Sequence, residues 1–175
     1  MKKQTKTTTF RISEDCSNEL KIISEENQTS TNTLVNQIIE TYVSIEKPMK
    51  QYGIVKISSD LFLELFNNLN ETVIKKIGKS IGSKEPKEFI QYKWNVITRG
   101  TVLEFLTLYC NYCGFGNLEI NTTNEKIRIS INHGLGEKFS IYFQSFLEAM
   151  FETTLNKKSR FNVRKNMILM TILEN

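Results

Sequence analysis

Residues 7–12 read Thr7-Thr8-Thr9-Phe10-Arg11-Ile12, a short alternating run that leads directly into two helical patterns and meets no second strand pattern nearby. A lone strand leaves its backbone N–H and C=O groups unpaired, which is a liability. The simplest partner is the same run from a second copy, paired antiparallel about a two-fold axis. The expected N-terminal architecture is therefore a two-stranded ribbon shared by two chains, with the helices of both behind it. Period two puts Thr8, Phe10 and Ile12 on one face and Thr7, Thr9 and Arg11 on the other. Phe10 and Ile12 are the expected core pair. A one-residue slip would bury Arg11 and expose both apolar residues.

Ser13-Glu14-Asp15 reads as a helix start, with a cap and two acids at the positive end of the helix dipole. Cys16, Leu20 and Ile23 share one face of that helix. Its stop is expected near Asn27-Gln28, with Asn27 the residue suited to the left-handed conformation. Ser30-Thr31-Asn32-Thr33 opens a second helix. Its apolar stripe of Leu34, Val35, Ile38, Ile39, Tyr42 and Val43 is broad for so small a head and suits a dimer core. Around Pro48 the pattern breaks, which predicts a linker at 46–52 between an N-terminal domain, 1–45, and a second domain, 53–175.

The second domain reads as α+β. Ile54-Val55-Lys56-Ile57 has the pattern of a short strand, and Ser58 or Ser59 then caps a helix bearing Phe62 and Phe66. A helix with Val73, Ile74, Ile77 and Ile81 is expected to break at Gly82–Pro86, and Phe89–Trp94 to be a separate short helix. Thr98 caps a longer helix that Gly114 and Gly116 stop. The remainder predicts an antiparallel ββαββ arrangement. Its parts are a strand around Leu118 and Ile120, a turn at 122–125, and a strand carrying Ile127, Ile129 and Ile131. A long helix with Phe139, Phe143, Phe146 and Met150 follows, then a strand at Phe161 and Val163 and a central strand at 167–173.

Charge is modest overall, +4, but unevenly placed. Lys2, Lys3, Lys6 and Arg11 fall in residues 1–13 with no acid among them, and Lys157, Lys158, Arg160, Arg164 and Lys165 form a second basic cluster. Basic clusters suit phosphate, although a solvated surface is the blander reading of the second. No run of about 18 apolar residues is present, so no membrane span or membrane partner is expected. The N-terminus has no apolar signal region, and three cysteines are no disulfide framework, so a cytoplasmic setting is expected.

Phe10-Arg11-Ile12-Ser13-Glu14-Asp15, then Leu20, then Ser30-Thr31-Asn32-Thr33-Leu34-Val35-Asn36, together resemble the ribbon-helix-helix family of DNA-binding proteins over about residues 5–45. Gln28 departs from the family, where many members carry Gly in the interhelical turn, and so does Cys16, where Leu or Val is usual. The resemblance implies an intertwined homodimer, or a higher even oligomer, that inserts its ribbon into the major groove of double-stranded DNA. Thr7, Thr9 and Arg11 are then base readers. Lys2, Lys3 and Lys6 meet phosphate, and Ser30 holds the free N–H groups of Thr31 and Asn32 toward a phosphate. The implied function is a transcriptional regulator, a repressor among the options, whose C-terminal domain oligomerises or takes a small-molecule or protein effector. The alternative is an antitoxin- or partition-type adaptor, whose C-terminal domain binds another protein.

Other candidates carry less. Cys110-Asn111-Tyr112-Cys113 has redox or zinc spacing, but Leu103, Leu106, Cys110 and Cys113 share a helix face, where free thiols pack as small hydrophobes. Nickel sensing, known in part of the family, needs several histidines, and the chain has one. His133-Gly134-Leu135-Gly136-Glu137-Lys138 offers two glycines and a lysine at a helix start, an anion cradle at most and no phosphate-binding loop. No catalytic constellation is visible and no cofactor is expected, so an enzyme is not the reading.

Overall fold

The computed structural model describes residues 6–123 and 126–173. The chain divides into two compact units, Met1–Lys47 and Pro48–Asn175. Among the described residues of the first, α1 (Glu14–Glu26) and α2 (Thr31–Thr41) are followed by a π-helical turn, Tyr42–Glu46. Residues 6–12 have no regular secondary structure in the single chain and join no ladder among the described residues.

Pro48 does not break the helix as expected. The segment read as a linker is helical, with α3 spanning Lys47–Tyr52 and Met49 fully buried. A proline crowds the carbonyl four residues back and lacks an N–H. Here the turn before it is widened, with the Lys47 N–H donating to the Tyr42 carbonyl five residues back, and the proline ring is accommodated.

The second unit is mixed α+β. After α3 come α4 (Ser59–Asn67), α5 (Glu71–Trp94), α6 (Arg99–Cys113), β1 (Asn117–Thr122), β2 (Lys126–Asn132), α7 (Gly136–Leu155), β3 (Ser159–Arg164) and β4 (Met167–Leu173). Ile54–Ile57 forms no strand: residues 54–58 are irregular. The expected break at 82–86 is also absent. α5 runs through Pro86 as one helix, and Gly78, Gly82, Pro86 and Phe89 all lie on its buried side. A side chain at Gly78 would strike the Tyr142 carbonyl, and one at Gly82 the Phe146 carbonyl, so the two glycines let α5 and α7 meet backbone to backbone. That packing overrides the poor helix propensity of Gly and Pro.

The sheet has the order β1-β2-β4-β3, antiparallel throughout. In the middle pair Ile127 faces Ile172, Ile129 faces Met170 and Ile131 faces Ile168, and all six are buried. α7 packs on this side through β3 and β4 and contributes the buried Phe139, Phe143, Phe146 and Met150. The opposite face is open. On it Arg160, Thr171 and Arg128 form one cross-strand row, and Leu169 is partly exposed on the central strand. No helix among the described residues is long and apolar enough to cross a membrane.

Candidate nucleic-acid interface

Hydrogen bonds at the helix ends fix the N-terminal unit. Ser13 caps α1 by accepting from the Cys16 N–H at 3.3 Å. At the other end the Gln28 N–H donates to the Glu25 carbonyl at 3.1 Å and the Thr29 N–H to the Ser24 carbonyl at 2.9 Å, the paired bonds of a Schellman stop. The left-handed residue in that stop is Gln28, at φ 51°, and not Asn27, at φ −85°. It is the turn position where the resembled family often carries Gly. The Ser24 and Thr31 hydroxyls, 3.0 Å apart, tie the end of α1 to the start of α2. Ser30 caps α2, accepting from the Thr33 N–H at 3.1 Å. This leaves the Thr31 and Asn32 N–H groups, in the first turn, without intrahelical acceptors.

Lys6, Thr7, Thr8 and Phe10 line one side of an open groove of about 720 Å³, and Thr31, Asn32, Val35, Asn36 and Ile39 the other. Of the expected contact residues, Lys6, Thr7, Thr31 and Asn32 therefore come together. Thr9 and Arg11 are exposed and do not line the groove, and Ser30 is exposed beside it. Lys2 and Lys3 lie outside the described residues. Thr7 and Thr8 both line the groove, so the alternation expected of a ribbon is not expressed in the unpaired segment. The apolar residues assigned to a core are largely uncovered: Phe10 is 62% exposed, Ile12 54% and Ile38 49%. Among residues 6–47 Ser24 is the one buried side chain.

The other sequence candidates resolve differently. Cys110 is buried and Cys113 half-buried. Both thiols are pushed up to about 12, Cys110 by burial and then by Cys113, Cys113 by burial and then Glu85 against the pull of Lys56. Thiols held neutral in this way are poor nucleophiles and poor metal ligands. Among the described residues no three metal-ligating side chains converge.

His133 is a staple. Its Nδ1 accepts from the Leu135 N–H at 3.2 Å, which leaves the ring proton on Nε2, 2.8 Å from Ser140 Oγ. The serine hydroxyl in turn donates to the Arg164 carbonyl at 2.8 Å. Burial lowers the His133 pKa, consistent with a neutral ring. The anion cradle is not formed: the Gly136 N–H donates to Asn166 Oδ1 at 3.0 Å, and Lys138 donates to the Asn67 and Leu69 carbonyls at 2.8 and 2.7 Å.

The sequence reading missed a cavity of about 510 Å³ in the second unit, with Glu85, Lys56 and Cys113 among its lining. A signal was present. In one continuous helix the half-buried Glu85 stands beside the buried Pro86, a turn after the buried Gly82 and before the buried Phe89, an acid at the border of the apolar side. Comparison of the sequence with protein-family models gives no match, and comparison with curated proteins gives none either.

Proposed function

We propose that the protein is a sequence-specific DNA-binding regulator acting as a homodimer. In this reading residues 7–12 of two chains pair as a β-ribbon in the major groove, and the C-terminal unit oligomerises or senses an effector. One observation carries the proposal. The N-terminal unit has two formed and capped helices, yet no apolar side chain among residues 6–47 is buried. Covering a large apolar side chain is worth about 1.5–3 kcal/mol, so a second copy closing on this stripe has ample driving force. The capped start of α2, next to Lys6 and Thr7, supplies a site suited to a backbone phosphate.

The test begins by selecting bound duplexes from a random pool with the full chain. Titrations then follow against selected and random duplexes at several salt concentrations. Arg11→Ala should cost about 1–3 kcal/mol at each half-site and relax the sequence preference there. Replacing Lys2 and Lys3 should weaken binding to both duplexes alike and flatten the salt dependence, because lysines meet phosphate as point charges. An Arg11→Ala protein with unchanged affinity and unchanged preference would remove the ribbon as reader.

A further inference from the structure

The uncovered face of the C-terminal sheet is basic. Strand alternation sends Ile127, Ile129 and Ile131 to the side of α7 and Arg128 to the other side, and it sends Arg160 and Arg164 outward from β3 in the same way. All three arginines are exposed. None of them has a hydrogen bond or ion pair among the described residues. Lys126, at the start of β2, stands on the same face. The four strands hold a single acid, Glu119 of β1, the edge strand farthest from β3.

The arginines are well separated. Arg160 and Arg164 are four residues apart on β3, about 13 Å at the rise of a strand. Arg128 shares a row with Arg160 across β4, two strand spacings or about 10 Å away. Guanidinium groups this far apart suit a series of anions rather than one, and each can take a phosphate with two N–H groups. A major groove is about 12 Å wide, so the patch and a duplex match in scale.

The rest of the face favours one kind of polyanion. Thr171 and Asn162 stand between the arginines, uncharged donors of the kind that meet backbone phosphate. Phe161 of β3 faces Met170 on the other side of the sheet, and no aromatic side chain of the described strands lies on the open side. Unpaired bases stack on such rings, so a single strand finds no platform here. Leu169, 37% exposed, is the one large exposed apolar residue of the described strands, too little for the apolar centre of a protein interface or for an anchor in a bilayer.

We propose that this open sheet face is a second DNA-contacting surface, which holds the phosphate backbone of a duplex through Arg128, Arg160 and Arg164 without reading bases. That the duplex is DNA rests on the function proposed above, whereas the phosphate contact rests on the sheet alone. The test is titration of the full chain against random duplex DNA at several salt concentrations. Arg128→Gln, Arg160→Gln and Arg164→Gln together should weaken binding about tenfold or more at about 150 mM salt, and lower the salt slope by about one for each arginine that meets a phosphate. The preference for selected over random duplexes should stay as in wild type, whereas Arg11→Ala relaxes it.

The corresponding replacements by lysine should keep most of the slope. Lys76→Gln, Lys79→Gln and Lys87→Gln, exposed on α5, remove equal charge elsewhere and should leave the slope near the wild-type value. Single arginine replacements give the same reading where the triple variant folds poorly. An unchanged slope in the arginine variants, an equal loss in the α5 variant, or a random single strand held as tightly as the duplex would overturn the proposal. So would arginine variants that lose binding to vesicles of phosphatidylserine and phosphatidylcholine while keeping the duplex. A lowered slope in the arginine variants beside an Arg11→Ala protein of unchanged preference would remove the ribbon as reader and leave the sheet surface standing.

Discussion

Gln28 holds a left-handed backbone (φ 51°), a conformation that costs a side-chain-bearing residue about 1–2 kcal/mol. Glycine adopts it freely but gives up about 0.5–1 kcal/mol of chain entropy on folding. Gln28→Gly should therefore stabilise the N-terminal unit by roughly 0.5–1 kcal/mol, read as a higher denaturant midpoint at unchanged slope. Glu85 is a second residue whose environment works against the fold. Its folded pKa is raised, by burial first and Glu88 second. The folded state therefore holds the proton more tightly than the unfolded chain does. That contribution to stability is complete below the ordinary carboxylate pKa and is lost as pH rises through the folded value. Glu85→Gln should accordingly melt above wild type at neutral pH, with the difference shrinking away in acid. A wild-type advantage at neutral pH would mean that the carboxylate has a stabilising partner.

Among the elements, the crossing of α5 and α7 gives the sharpest contrast. Gly82→Ala would drive a methyl group into the Phe146 carbonyl, backbone that cannot step aside, and should cost about 3 kcal/mol. Gly100→Ala, in the first turn of α6, meets only the Thr98 hydroxyl at 3.7 Å and should be neutral or stabilise by a few tenths of a kcal/mol. Thermal melts of the two variants check both. The same crossing explains where reading the sequence stops working. Caps at Ser13, Ser30, Ser58 and Thr98 are local chemistry, and the alternation of Ile127, Ile129 and Ile131 is local pattern, so both were legible. The continuity of α5 was not, because contact with α7, some 60 residues away, overrides Gly82 and Pro86. Ile54–Ile57 alternates like a strand but pairs with no strand among the described residues. Of the cavity, only the acid at Glu85 left a trace in the sequence: Lys56, Glu85 and Cys113 come from three separate segments, and only the fold brings them to one space.

For the whole molecule, the proposed dimer would cover the exposed apolar stripe of the N-terminal unit and so tie its folding to concentration. A peptide of residues 1–47 should lose helical circular dichroism on dilution, over a range on the order of 100 µM to 0.1 µM, as association and folding are linked. A fully helical monomer at the lowest concentration would remove the shared ribbon. The second unit is assembled differently, since its sheet order places β4 between β2 and β3 although β4 follows both in the chain. Vectorial synthesis gives that order a consequence. On the ribosome β1 and β2 emerge as a hairpin, with Ile127, Ile129 and Ile131 facing a layer not yet made. β3 emerges with no neighbour at all, and waits for the strand that will bridge it to β2. The nascent chain thus has its N-terminal segment already synthesised, and open to the proposed second copy, while the C-terminal sheet still lacks its middle.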